Sequence, residues 1–269
     1  MNPIEKYNIR ARKINSLVCV GLDADFDKMP EKFKSLGGSE AQFQFNKYII
    51  DSTNEFASAF KPNAAFYEAR GVEGMEALKK TMDYIHEFYP DVFTIFDAKR
   101  ADIGNTNNGY ITSIFDWFGF DAVTLHPYLG QEALQPFFDR NDKCSIILAR
   151  TSNPGAPEFQ DLILKDSDEP LWQNVAKKVS SEWNENKNLM IVLGGTYPEE
   201  IGKARQITGE MTFLVPGIGA QGGEVKDVII KGKNSEGLGL IINSSRGIIF
   251  AENPAEEAQK LRDEIRKYL

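Results

Sequence analysis

Two cysteines and two histidines in 269 residues leave little material for disulfide or metal chemistry. Cys19 and Cys144 each lie in an apolar, strand-like run, so they read as small core hydrophobes rather than as a pair. His86 and His126 offer no zinc-ligand spacing, and no metal site is expected. No stretch reaches the about 18 apolar residues that suggest a membrane span, and the first residues lack the apolar core of a signal peptide. The expectation is a cytoplasmic protein with no membrane partner. Basic residues are in deficit, 31 Lys and Arg against 39 Asp and Glu, for a formal charge of −8. Without a broad basic stripe, nucleic acid is not the expected partner, which still allows a local cationic pocket for an anionic metabolite. Repeats, low-complexity tracts and Pro/Gly/Ser linkers are also missing, so residues 1–269 are expected to form a single domain.

What is present is alternation. Strand-like apolar runs occur at Leu17–Leu22, Ala59–Pro62, Val92–Phe96, Ala122–Leu125, Ser145–Ala149, Met190–Leu193, Thr212–Val215 and Leu240–Asn243. Helix-like segments separate them, at about Ala41–Glu55, Met75–Phe88, Thr106–Trp117, Gln131–Phe138, Leu171–Asn184, Pro198–Arg205, Gly223–Lys231 and Pro254–Tyr268. Strands divided by helices pair in parallel through right-handed crossovers. Eight such units in this length predict an α/β fold, a closed (β/α)8 TIM barrel, with an open doubly wound sheet as the competing arrangement. One connection is long, Thr151 to about Pro170, and follows the fifth strand on the face where barrel enzymes build their sites.

The most informative stretch runs from Phe96 to Gly104. Asp97 and Lys99 sit two apart at the end of an apolar strand, so an extended chain points them to one side. Asp102 follows three residues later, where the chain turns toward a helix. An ammonium between carboxylates keeps its proton, which makes a proton donor beside repelling anions. The plainer reading is a strand-end charge cluster in which Asp102 caps a helix.

In a barrel, the residues ending each strand converge. In order they are Asp23, Lys61, the Asp97/Lys99/Asp102 group, His126, Ser152, Pro216 and Arg246. Each has an ordinary explanation alone, and His126 before Pro127 reads as structural. Two lysines and three acids at three strand ends nevertheless exceed what solvation of a rim requires. After strand seven comes Val215-Pro216-Gly217-Ile218-Gly219-Ala220-Gln221-Gly222-Gly223, where glycines allow close backbone approach to an anion. After strand eight, Arg246 in Asn243-Ser244-Ser245-Arg246-Gly247 offers paired N–H donors to phosphate. Barrel enzymes frequently hold phosphate in these two loops.

Taken together these blocks resemble the orotidine 5′-phosphate decarboxylase family, most closely its longer bacterial branch. The resemblance rests on Gly21-Leu22-Asp23, Phe60-Lys61-Pro62-Asn63, the run from Asp97 to Thr106, Thr151-Ser152-Asn153-Pro154-Gly155, the Pro216–Gly223 loop and Ser244-Ser245-Arg246-Gly247. It implies conversion of orotidine 5′-monophosphate to UMP and carbon dioxide, the last step of de novo UMP synthesis, with no cofactor. It implies that Lys99 protonates C6 of the pyrimidine, that Asp97 lies near the departing carboxylate, and that Lys61 ties the array together. Asp23 and Lys61 would contact ribose hydroxyls, Ser152 the pyrimidine amide edge, and Gln221 both base and phosphate. Pro216 would pack near the base, and Arg246 would bind phosphate beside Ser245, which stands where shorter members carry glycine. Asp102, with Ile103 and Thr106, would enter the site of a second subunit, making a homodimer with shared sites.

Two other readings are compatible with parts of the pattern. Related sugar-phosphate decarboxylases and synthases share Asp-x-Lys-x-x-Asp but use magnesium, with a carboxylate near strand two. Lys61 occupies that region here, although Glu68 lies close in sequence. A noncatalytic phosphate- or nucleotide-binding barrel is the third.

Overall fold

Parallel strands covered on both faces need apolar residues at every position rather than at alternate ones. The strand-like runs have that character, and the computed structural model, which describes residues 2–218 and 225–269, places all of them in one sheet. The strands are β1 (Val18–Gly21), β2 (Ala57–Lys61), β3 (Phe93–Arg100), β4 (Ala122–Leu125), β5 (Cys144–Arg150), β6 (Leu189–Leu193), β7 (Phe213–Pro216) and β8 (Leu240–Ser244). Each pairs in parallel with its sequence neighbour, and β8 returns to β1, with Val18 opposite Ile242. The sheet therefore closes into the expected (β/α)8 barrel, and the open-sheet alternative falls.

Every residue of β1, β2, β4 and β6 is buried. β3 departs from this rule at its C-terminal end: Phe93–Phe96 are buried, but Lys99 is exposed. That loss of burial marks the rim on which the charged residues gather.

The helical layer follows the amphipathic segments, with bounds moved by a few residues. The second segment begins at Gly71 and runs to Phe88, and the last spans Pro254–Arg266. The expected helices at Thr106–Trp117 and Leu171–Asn184 start as α-helix and widen into π turns at Thr112–Trp117 and Lys178–Glu182.

Several elements have no counterpart in the sequence reading, among them short helices at Glu31–Lys34, Ala64–Glu68 and Arg246–Ile249. A helix at Pro3–Ile14 precedes β1, started by Asn2, whose side chain accepts the Ile4 N–H, and by Pro3 at its first position. It seals the end of the barrel remote from the charged rim. Tyr7 donates to the carbonyl of Leu240, and Arg10 reaches the carbonyl of Ala57, the first residues of β8 and β2. The long connection after β5 is also structured, with a helical turn at Pro157–Gln160 and an antiparallel ladder joining Ile163–Leu164 to Glu169–Pro170. No helix among the described residues is long and apolar enough to cross a membrane.

Candidate active site

β3 does not remain extended to its end. Its register against β4 shifts between Phe96 and Arg100, and Lys99 has φ of 48°, in the left-handed region. The sequence reading placed Asp97 and Lys99 on one side of an extended strand. The bulge replaces that geometry, yet the two side chains still meet, with Lys99 Nζ 2.7 Å from Asp97 Oδ1. A non-glycine residue held in this backbone region carries strain, and such strain is concentrated at functional sites.

Asp97 is the centre of the cluster. Lys61 Nζ lies 2.8 Å from its Oδ2, and Thr124 Oγ1 donates to its Oδ1 at 3.0 Å. Thr124 also accepts the Lys99 backbone N–H at 3.0 Å, linking the strained residue to β4. Burial by itself pushes the Asp97 carboxyl up, but the Lys61 and Lys99 ammonium groups outweigh it and hold it well below the usual carboxylate range. Burial works against the Lys61 ammonium too, and Asp97 and Asp23 reverse the balance, raising Lys61 above the ordinary lysine value. The two lysines differ in access: the Lys61 side chain is 4% exposed and that of Lys99 is 51% exposed. Lys61 is a nearly buried counter-ion, whereas half of the Lys99 side chain is open to solvent.

The cluster lies where two cavities join. The larger, about 480 Å³, is lined by Lys61, Asp97, Lys99 and Thr124, by Thr151 and Ser152, and by an apolar wall including Leu148, Val192 and Leu214. The smaller, about 160 Å³, carries Asp23, Asn243, Ser244, Ser245 and Arg246. Lys61, Asp97 and Pro216 line both. The result is one elongated, two-lobed hollow, with an ammonium and an apolar wall at one end and a guanidinium at the other. Arg246 is exposed, and among the described residues its guanidinium has no hydrogen-bond or ion-pair partner. Among the described residues, Asp23 Oδ1 is buried without a hydrogen-bond donor, an unmet acceptor at the smaller lobe.

Two glycines allow chain segments to approach at this rim. A Cβ on Gly21 would lie 2.6 Å from Ser245 Cβ, and one on Gly194 would lie 2.9 Å from Ser152 Cα. The Ser245 hydroxyl donates to the Gly21 carbonyl at 3.1 Å, tying β8 to β1 beside Arg246. Gln160 anchors the loop after β5 by accepting the Thr151 N–H at 2.9 Å.

Of the residues picked from the sequence, Lys61, Asp97, Lys99, Ser152 and Pro216 line the larger lobe, and Asp23, Ser245 and Arg246 the smaller. Asp102, Ile103 and Thr106 line neither lobe of their own chain. Ile103 is 61% exposed, and the Asp102 carboxylate accepts the Ile103 N–H at 2.7 Å. Asp102 is not a helix cap; Gly104 takes that position for the helix at Asn105–Ile111. Gln221 lies outside the described residues. His126 corrects the list of converging strand ends. It lines neither lobe but an adjoining apolar cavity with Tyr128, Phe159 and Trp172, which shares Leu148 and Gln160 with the larger lobe; β4 ends at Leu125 and it is Thr124 that faces Asp97. Thr124 and Gln160 were not read from the sequence; a threonine inside an apolar β4 run was the available signal for the first.

Glu68, the one carboxylate near β2 that a magnesium site would recruit, pairs with Arg100 and lines neither lobe. Among the described residues, no group of three or more His, Cys, Asp or Glu side chains is placed to hold a metal ion.

Comparison with known proteins places the chain in a family. The family model described as Orotidine 5′-phosphate decarboxylase / HUMPS family matches residues 16–261. Orotidine 5′-phosphate decarboxylase of Cellvibrio japonicus is 43% identical over 97% of this chain and 94% of its own. The protein of the same name from Christiangramia forsetii is 46% identical over 92% of this chain and 89% of its own. Among solved structures, the OMP decarboxylase of Leishmania donovani superposes with a TM-score of 0.89 at 35% identity, covering 100% of this chain and 99% of that one. With sequence and fold in agreement, the chain belongs to the Orotidine 5′-phosphate decarboxylase / HUMPS family, as one of its decarboxylases.

Proposed function

We propose that this protein decarboxylates orotidine 5′-monophosphate to UMP, with Lys99 as proton donor and without a metal ion. The observation that carries the reading is the two-lobed cavity, with Lys99 at one end and Arg246 at the other. A nucleotide matches that polarity: base in the larger lobe, ribose across the junction of Lys61, Asp97 and Pro216, phosphate at Arg246.

In this arrangement the bond from C6 to the carboxylate breaks and its electron pair remains on C6. The Lys99 ammonium gives its proton to that carbon, and the neutral amine is reprotonated from solvent. One proton is consumed for each carbon dioxide released. Before transfer, the positive charge of Lys99 stabilises the anion building at C6, an interaction that strengthens toward the transition state. Asp97 holds Lys99 and Lys61 in place, at 2.7 and 2.8 Å from its two oxygens. A fixed ammonium supplies the positive charge that a metal would otherwise bring to the carbanion.

Ser152 is assigned to the pyrimidine amide edge, Gln221 to both base and phosphate, Asp23 and Lys61 to the ribose, and Arg246 with Ser245 to the phosphate. The unmet acceptor on Asp23 and the free guanidinium of Arg246 support the last two assignments. Asp102, Ile103 and Thr106 are assigned to the site of a second copy of the chain, in a homodimer with two shared sites. Their absence from the lobes of their own chain and the exposure of Ile103 favour this. The reaction is placed in the cytoplasm, where the buried free thiols of Cys19 and Cys144 suit reducing conditions.

The test is the loss of absorbance of orotidine 5′-phosphate on adding EDTA-treated protein. Turnover unaffected by EDTA is expected. Activity lost to EDTA and restored by magnesium would refute the metal-free mechanism, and tight UMP binding without turnover would refute catalysis altogether.

A further inference from the structure

Asp23 is the last charged residue of the smaller lobe that the chemistry above leaves loosely explained. It follows β1, and its backbone is held by side chains that reach in from the helical layer. Tyr67, on the helix Ala64–Glu68, donates its hydroxyl to the carbonyl of Leu22 at 2.7 Å. Gln42, on the helix Gly38–Thr53, donates its amide to the carbonyl of Ala24 at 2.9 Å, and to that of Phe66 at the same distance. The residues before and after Asp23 are thus each bonded by a buried side chain, Tyr67 and Gln42 being 0% exposed.

Both anchors are themselves oriented. Asn46 donates to the Tyr67 hydroxyl at 3.0 Å and to Thr81 Oγ1 at 2.9 Å, so the Tyr67 proton is directed at Leu22. Arg70 donates to Gln42 Oε1 at 3.1 Å, which turns the Gln42 amide nitrogen toward Ala24. The inner side of the same backbone is fixed as well, the Leu22 N–H bonding the Lys61 carbonyl at 3.1 Å. Held in this way, Asp23 is left with little beyond its side-chain rotations. The acceptor it presents, Oδ1, is buried and unmet. A buried acceptor without a donor is costly, and a ligand donor relieves that cost only from a narrow range of positions.

We propose that Tyr67 and Gln42 are positioning residues that set the Asp23 carboxylate at the height of the ribose hydroxyls, so that the helical layer tunes recognition of the sugar. The proposal rests on the assignment of Asp23 to those hydroxyls. Tyr67 and Gln42 are fully buried and line neither lobe. They act through the carbonyls flanking Asp23.

A purely structural role would show as lost stability alone, so the test reads sugar selectivity. Binding of UMP and of 2′,3′-dideoxy-UMP is measured by calorimetry on the parent, Tyr67→Phe, Gln42→Met and Asp23→Asn, with circular dichroism to verify folding. The affinity ratio of UMP to its dideoxy analogue should fall about tenfold in Tyr67→Phe and Gln42→Met, as loss of a hydrogen bond to a charged group implies. The dideoxy affinity itself should change little. Val179→Ala, a core substitution in the turn Lys178–Glu182 that packs on β6, three strands away from β1, should lower the melting temperature and leave the ratio intact. Folded Tyr67→Phe and Gln42→Met proteins with the parental ratio would overturn the positioning role. Asp23→Asn separates the two layers: a parental ratio there refutes the ribose assignment itself, whereas a collapsed ratio there with none in the other two refutes only the positioning. Gln42→Met decides the matter if Tyr67→Phe does not fold.

Discussion

Removing the two site lysines one at a time separates stability from chemistry. Lys61 is 4% exposed at the side chain and pairs with a carboxylate that is 12% exposed. Lys61→Met strands much of the Asp97 charge in a poorly solvated position, and breaking a buried pair costs about 3–5 kcal/mol. Asp97 keeps Lys99 and the Thr124 hydroxyl, so the lower end, roughly 3 kcal/mol, is the better figure. At this chain length each kcal/mol moves the melting temperature by about 2–4 °C, which predicts a fall of roughly 6–12 °C. Lys99 makes an equally short contact, but its side chain is 51% exposed, and exposed pairs contribute at most about 1 kcal/mol. Lys99→Ala should therefore melt within about 4 °C of the parent. Its rate is another matter. General-acid catalysis contributes about 10²–10⁴-fold. Preorganised electrostatic stabilisation of the developing anion contributes about 10²–10³-fold. Acting independently, the two predict a loss in kcat of about 10⁴–10⁷-fold, with UMP still bound. Melting curves, orotidine 5′-phosphate absorbance and UMP calorimetry read the three quantities. A folded Lys99→Ala protein within tenfold of parental kcat would remove Lys99 from the mechanism. A melting loss as large as that of Lys61→Met would refute the inequality drawn from burial.

Three further outcomes follow from the site. Arg246→Ala should weaken binding of UMP far more than of uridine, measured by calorimetry; equal losses for the two would contradict contact with phosphate. Mixing Asp102→Ala with Lys99→Ala subunits should restore part of the lost activity, because one site of each heterodimer then carries neither defect. No recovery despite verified subunit exchange would argue against shared sites. Asp97 is held below its unfolded carboxyl value of about 3.9, so its stabilising contribution is complete above that pH and is lost as pH falls toward the lower folded value. Urea midpoints of Asp97→Asn should consequently decline less steeply below about pH 5 than those of the parent, and a steeper decline would reverse the sign.

The apolar runs carried the strand assignments because a parallel sheet covered by helices buries its strands on both faces, which suits a continuous run of Val, Ile, Leu and Phe. All eight runs became barrel strands, and their order alone brought Asp23, Lys61, Asp97, Ser152, Pro216 and Arg246 to one rim. The N-terminal helix escaped notice although Asn2 and Pro3 signal its start, since its buried residues are few and include Arg10. Thr124 escaped for a different reason: its importance lies in bonding Asp97 and the Lys99 backbone across two strands, which spacing along one strand does not reveal.

Sequence by itself determined the eight alternating strand and helix units, the positions where charge interrupts burial, and the residue types available for anion binding and proton transfer. These are set by hydrophobic periodicity and by the cost of burying unpaired charge, both local properties of the chain. Tertiary structure alone decided that Lys61 is a buried counter-ion and Lys99 an accessible one, and that a bulge aims the latter. It also decided that Asp102 turns away from the lobes of its own chain, and that Tyr67 and Gln42 hold the backbone around Asp23. The physical reason is common to all four: exposure and aim depend on neighbours distant in sequence, which meet only when the barrel closes.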